Sequence, residues 1–276
     1  MRYALRAPLA RQAIQENLVL TAAHCVDFVE NPRKTKVYVA KGNIKYDRDN
    51  DQFESADDVT EAVEIFVHPD WRKSDGNDIA IIRVKTSQPL SGPFVTLAKP
   101  RSKLRNMILM TAVGFGVSND YLEELINPTD EGAFVATSPP VLYETDLQLR
   151  RPGQAPCPRK NKRPDACDEG DGGDKYNCLL ITDEREFCVV GGWFYGRNPN
   201  TPFGVGTKSA CSGDSGGPIY YKGVQYGVAG RVLDRALCQQ VFLNPYTVYT
   251  RVSAHRKDFI DPIVRKNPYK CRGEGC

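Results

Sequence analysis

The hexapeptide Gly213-Asp214-Ser215-Gly216-Gly217-Pro218 sets a hydroxyl nucleophile in a glycine-flanked turn, where backbone N–H groups can converge on one oxygen. At average residue usage it arises by chance in roughly one chain of this length in 10^5, so it reads as a site. A serine hydroxyl attacks a carbonyl only when a base removes its proton and a third group holds that base in the right tautomer. The chain has 3 histidines. His24, in Thr21-Ala22-Ala23-His24-Cys25, follows the apolar run Leu18-Val19-Leu20 and so stands at the end of a predicted strand. His68, in Val67-His68-Pro69-Asp70-Trp71, reads as a loop or strand-end residue, and His255 as a surface position of a terminal helix. His24 is the candidate base, because only it has a second motif around it. The orienting carboxylate is Asp78, at the mouth of the apolar strand in Asn77-Asp78-Ile79-Ala80-Ile81-Ile82. Taken alone, Asp78 reads better as a capping residue after the turn Ser74-Asp75-Gly76.

These residues must be carried by strands. Turn signals separate short runs rich in Val, Ile, Tyr and Phe at 37–40, 62–67, 79–84, 107–113, 225–229 and 247–252, the pattern of an all-β barrel protein. Helical spacing appears near the end, where Val252, Phe259, Ile260, Ile263 and Val264 line one face and Pro262 predicts a kink or break. With 41% hydrophobic and 26% charged residues, the chain is ordinary for a soluble globular protein. A net charge of +3 lacks the dense basic face of a nucleic-acid binder. The longest apolar run, Met107 to Val117, is glycine-containing and far short of the ~20 residues that span a bilayer. The 9 cysteines include no Cys-x-x-Cys pair, which favours disulfides in an oxidising compartment over zinc, and so a secreted protein. No Asn-x-Ser/Thr acceptor for N-glycosylation occurs.

In the order His, Asp, Ser, the three segments resemble the chymotrypsin-like (trypsin-fold) serine proteases. The resemblance runs from about Ile14 to Lys266, through His68-Pro69-Asp70-Trp71, Val113-Gly114-Phe115-Gly116 and Val248-Tyr249-Thr250-Arg251-Val252. It implies two six-stranded antiparallel Greek-key β-barrels with a C-terminal helix, the first barrel incomplete, over residues 1–103 and 104–276. The boundary falls in Ala98-Lys99-Pro100-Arg101-Ser102-Lys103, and the active site spans the seam. By this resemblance Ser215 is the nucleophile, His24 shuttles the proton, Asp78 holds the imidazole, and the N–H groups of Gly213 and Ser215 form the oxyanion hole. Cys211 pairs with Cys238, and Cys188 pairs with Cys178 or Cys157. The primary pocket has Ser209 at its base and Val232 and Thr247 as walls, which implies an elastase-like preference for small aliphatic side chains before the scissile bond. Gly230 and Arg231 stand where the family has a serine and an aromatic residue.

The resemblance further implies protein or peptide substrates, protein protease inhibitors as partners, a secreted monomer, and neither cofactor nor metal. The rival reading is a catalytically silent homologue used as a binding or regulatory module. Three insertions read as surface loops. Asp47 to Glu61 is acidic and lies where some relatives bind calcium, although a solvated loop explains it better. Asn119 to Pro140 is polar, and the basic, cysteine-bearing Arg150 to Asn177 is an exosite or, more simply, a disulfide-tied loop. Gly191 to Lys208 is a long connection beside the pocket. Active relatives begin at an apolar residue whose ammonium pairs with the aspartate before the serine, here Asp214. No Ile-Val-Gly-Gly-like start precedes His24, Met1 to Arg11 has neither a signal core nor a recognisable first strand, and position 9, where relatives carry the partner of Cys25, is leucine. The expectation is therefore an N-terminally truncated, zymogen-like chain that hydrolyses peptides poorly.

Overall fold

Each of the apolar runs at 37–40, 62–67, 79–84, 107–113, 225–229 and 247–252 overlaps a strand in the computed structural model. The structure describes residues 2–5, 12–29, 36–41, 45–47, 52–55, 58–73, 76–85, 87, 89–90, 92–116, 142–151, 157, 181, 184–191, 210–211, 213–232 and 246–269. The first half contributes β1 (Arg2–Leu5), β2 (Ala13–Gln15), β3 (Leu18–Thr21), β4 (Lys36–Lys41), β5 (Lys45–Asp47), β6 (Gln52–Ser55), β7 (Asp58–Val67) and β8 (Ala80–Val84). Six of these form one sheet in the order β1-β4-β7-β8-β3-β2. Met1 to Arg11, expected to hold no recognisable first strand, does contain one. Arg2–Leu5 is a strand, paired in parallel with β4, whose other edge is taken by β7. A segment of 4 residues is too short for periodicity to announce it, and what recruits it is the open backbone edge of β4. The acidic stretch is not wholly a loop either, since β5 and β6 pair as an antiparallel hairpin.

The second, 7-stranded sheet contains β9 (Thr96–Leu97), β10 (Leu109–Gly114), β11 (Tyr143–Arg150), β12 (Glu186–Gly191), β13 (Pro218–Tyr221), β14 (Val224–Val232) and β15 (Tyr246–Arg251). Because β13 pairs with both β10 and β14, the order β13-β10-β11-β12-β15-β14 closes into a six-stranded antiparallel barrel. Short β9 joins β14 in parallel, so residues 96–97 are hydrogen-bonded to the second sheet.

Burial explains why the key strands are continuously apolar. All 4 residues of β3 are buried. Val19 packs with Ala80, Ile82 and Val84 inside the first sheet, whereas Leu18, Leu20, Ile79 and Ile81 pack against Val228, Val252, Phe259 and Ile260. With period-2 side chains, one face of β3 and β8 fills the first core and the other face the contact between the halves. Each fully buried Leu or Ile contributes about 1.5–3 kcal/mol, so this shared layer holds β3 and β8 against β14 and the terminal helix. The terminal helix runs as α1 (Val252–His255), a π-helical segment Arg256–Ile260, and α2 (Asp261–Lys266). Pro262 does not break it. The proline occupies the first turn of α2, where no helical N–H is lost.

Candidate active site

His24 lies in a single 3-10 turn, Ala23–Cys25, directly after β3, and Asp78 lies two residues before β8. Antiparallel register Thr21↔Ala80 brings these strand ends side by side. Asp78 is buried, and its carboxylate takes two bonds from one residue: His24 N–H donates to Oδ1 at 2.9 Å, and His24 Nδ1 lies 2.7 Å from Oδ2. The second bond places the imidazole proton on Nδ1 and leaves Nε2 as the basic atom. The turn before Asp78 is fixed in its own right. Buried Asn77 donates to the Asp70 carbonyl at 3.3 Å and accepts from the Arg185 guanidinium.

The Ser215 turn comes from the other half and abuts the base turn. A Cβ built on Gly216 falls 2.5 Å from Thr21 Oγ1 and 3.2 Å from Cys25 Sγ, so only glycine lets the two turns approach. Gly216 N–H donates to Ala229 O at 2.8 Å, tying the turn to β14. Gly213 has φ of 96°, a left-handed conformation suited to glycine. Among the described residues the N–H groups of Gly213 and Ser215 donate to no protein acceptor. Both remain available to an incoming oxygen.

Asp214 points inward from this turn. Its Oδ1 accepts from Gly116 N–H at 2.7 Å and its Oδ2 from Cys211 N–H at 2.9 Å. Burial raises its pKa, partly offset by those two N–H bonds. A Cβ on Gly114 falls 1.7 Å from Oδ1 and one on Gly116 2.2 Å from Oδ2. Val113-Gly114-Phe115-Gly116 is thus a cradle for the Asp214 carboxylate, a role that the motif alone did not assign.

The structure brings Asp78 to His24 but makes no Ser215–His24 hydrogen bond. Nε2 instead faces Cys25, whose free thiol lies at 3.5 Å. Burial disfavours a charge on His24, but Asp78 and Cys25 outweigh it and raise the pKa to about 11. The side chain is 33% exposed, so water moderates that pull. The thiol was legible in the sequence as a cysteine without its usual partner, although its contact with the base was not.

Gly230 sits where the β14–β15 register shifts between Ala229 and Arg231, and a Cβ there lies 3.2 Å from Asp78 Oδ2. The absent serine side chain is therefore a lost donor candidate for the orienting acid. Arg231 pairs both guanidinium nitrogens with the carboxylate of Glu186, a residue 1% exposed; one contact, Nη2 to Oε2, is 3.2 Å. Of the expected pocket residues, Val232 and buried Thr247 are register partners on adjacent strands, and Ser209 lies outside the described residues. Cys211 is disulfide-bonded, while its expected partner Cys238 lies outside them. So do the side chains of residues 47–58 in the acidic stretch Asp47 to Glu61 and the residues at 119–140. Cys188 bonds Cys157, one of its two candidates.

His255 is not a surface residue. It is 1% exposed, because its helix turns that face onto the His68 turn rather than outward. Burial lowers its pKa to about 4 against a bond to the Gly76 carbonyl, and burial likewise lowers that of His68.

The trypsin family model matches residues 12–129, a span holding His24 and Asp78 but ending before Ser215. Clotting factor C of Tachypleus tridentatus is 29% identical over 75% of the chain. Serine protease SSP1 of Scolopendra subspinipes is 27% identical over 89% of the chain and 69% of its own length. Chymotrypsin-like elastase family member 1 of Macaca fascicularis is 27% identical over 88% of the chain and 73% of its own length. The chain spans only 17% of the length of clotting factor C. It is thus similar to trypsin-type serine proteases across most of its sequence. Among the described residues no helix is long and apolar enough to cross a membrane.

Proposed function

We propose that this chain is a serine endopeptidase of the trypsin family, hydrolysing peptide bonds through an acyl-enzyme. The observation that carries the reading is the doubly bonded Asp78–His24 pair, set against a glycine-flanked serine turn whose Gly213 and Ser215 N–H groups have no acceptor among the described residues. Ser215 Oγ attacks the scissile carbonyl, His24 Nε2 takes its proton and returns it to the leaving amine, and Asp78 stabilises the imidazolium. The N–H groups of Gly213 and Ser215 receive the oxyanion, each donor typically supplying about 10²- to 10³-fold in turnover. Residues 1–103 supply base and acid, and residues 104–276 the nucleophile. Ser209, Val232 and Thr247 make a narrow, uncharged pocket for small aliphatic side chains. The protein acts as a secreted monomer on proteins or peptides and is open to protein inhibitors.

One observation favours the rival, a catalytically silent homologue acting as a binding module: Nε2 faces Cys25 and not Ser215. Labelling with a fluorophosphonate separates the two. The enzyme reading expects Ser215-dependent labelling that Ser215→Ala abolishes, and equal labelling of the two proteins sinks it. A tenfold or greater preference for Arg over Ala substrates removes the pocket assignment alone.

A further inference from the structure

We propose that His68, His255 and Asp258 form a site for one divalent transition-metal ion of the zinc class, at the contact between the terminal helix and the turn that leads into Asp78. Each of these residues offers a ligand atom, and the three atoms lie within 4.8 Å of one another. Imidazole nitrogen and carboxylate oxygen are zinc's usual ligands at about 2.0–2.2 Å, so in a tetrahedral site the trio must close to roughly 3.4 Å. Asp258 is exposed and can swing in, while the two histidines are already held.

His255 is prepared for this on both sides of its ring. Its Nε2–H donates to the Gly76 carbonyl at 2.8 Å, which leaves the lone pair on Nδ1. Backbone carbonyls commonly fix a metal-ligating histidine through its other nitrogen in this way. Nδ1 itself is buried and has no hydrogen-bond partner among the described residues. An unpaired buried acceptor is uncommon and calls for a reason. The His68 ring stands edge-on to the His255 ring at 5.0 Å between centroids and 5.0 Å from the Phe259 ring.

The site has costs. His68 Nδ1 accepts a long bond from Asp70 N–H at 3.2 Å, and ligation through Nε2 requires the other tautomer and gives that bond up. The Arg185 charge opposes a cation here, and Asp70 and Asp258 favour one. Three protein ligands leave the fourth tetrahedral position to water. Because His68 N–H donates to Ile79 O at 3.1 Å, a bound ion ties the terminal helix to the residue after Asp78.

Titrating Ser215→Ala protein with Zn²⁺ by calorimetry, with Co²⁺ as a visible-spectrum reporter, tests the assignment. One ion per chain should bind and raise the melting temperature, and Co²⁺ should give the intense bands of a four-coordinate ion. Asp258→Asn, an exposed change that leaves the core intact, should weaken Zn²⁺ binding at least about tenfold, with His255→Gln abolishing it. Cys25→Ser should leave affinity unchanged. No binding, wild-type affinity in Asp258→Asn, or loss of binding in Cys25→Ser overturns the site. None of these outcomes depends on turnover, so failure here is separable from failure of the peptidase reading.

Discussion

His24 and Asp78 meet through two hydrogen bonds at neighbouring strand ends, whereas the Ser215 turn is held from beneath by one buried carboxylate gripping two backbone N–H groups. The base half inherits its geometry from the β3–β8 register, and that register is enforced by strands buried on both faces. The Ser215 turn is tied to β14 through Gly216 N–H and the Ala229 carbonyl. It rests on Asp214, a charge whose burial is unfavourable and whose cradle tolerates no Cβ. Strand packing therefore protects the orientation of His24, while the Ser215 turn is exposed to small changes in volume and charge.

The largest effect should come from breaking the robust half chemically. Asp78→Asn should lower kcat by about 10^4, because the wrong imidazole tautomer is held. A loss under tenfold would mean that the two bonds to His24 do not orient a catalytic base.

Gly116→Ala attacks the other half. Its Cβ should expel the Asp214 carboxylate and cost about 10²- to 10³-fold in kcat, the scale of a lost oxyanion donor. Meanwhile the low-field NMR proton between His24 and Asp78 should persist. Loss of that proton in Gly116→Ala would show that the halves are coupled and not separately held.

Stability against pH sharpens the contrast further. Asp214 has a raised pKa in the fold, so its contribution falls as pH rises from the ordinary carboxylate value to the folded one. His24 is also raised, so its contribution is full below about 6.5 and is lost as pH rises towards about 11. Urea unfolding across pH should therefore lose an acid-side slope in Asp214→Asn and an alkaline-side slope in His24→Gln. The smallest effect is expected for Cys25→Ala. Removing the thiol from Nε2 should move the acid limb of the kcat/KM profile to lower pH, with a plateau change under about tenfold. An unmoved limb would dissociate Cys25 from the base.

Much of this was legible in local pattern. The apolar runs became strands because side chains alternate with period 2 whatever the fold, and the glycines of Gly213–Pro218 answered a turn that admits little else. Arg2–Leu5 is not announced by its own residues, because its pairing depends on a neighbouring edge. The π-helical segment before Pro262 likewise has no signature in the spacing of apolar residues.

The amino-acid sequence by itself determined which groups could do chemistry: a serine in a tight turn, a histidine after a buried strand, an aspartate before another. Only tertiary structure decided which of them touch. His255 reads as a surface residue until packing sets it against His68, and Nε2 of His24 has no stated neighbour until Cys25 Sγ is seen at 3.5 Å. The reason is physical. Local pattern reports periodicity and turn chemistry over a few residues, whereas burial and hydrogen-bond partners 54 or 179 positions away are fixed when separate strands and a helix share one core.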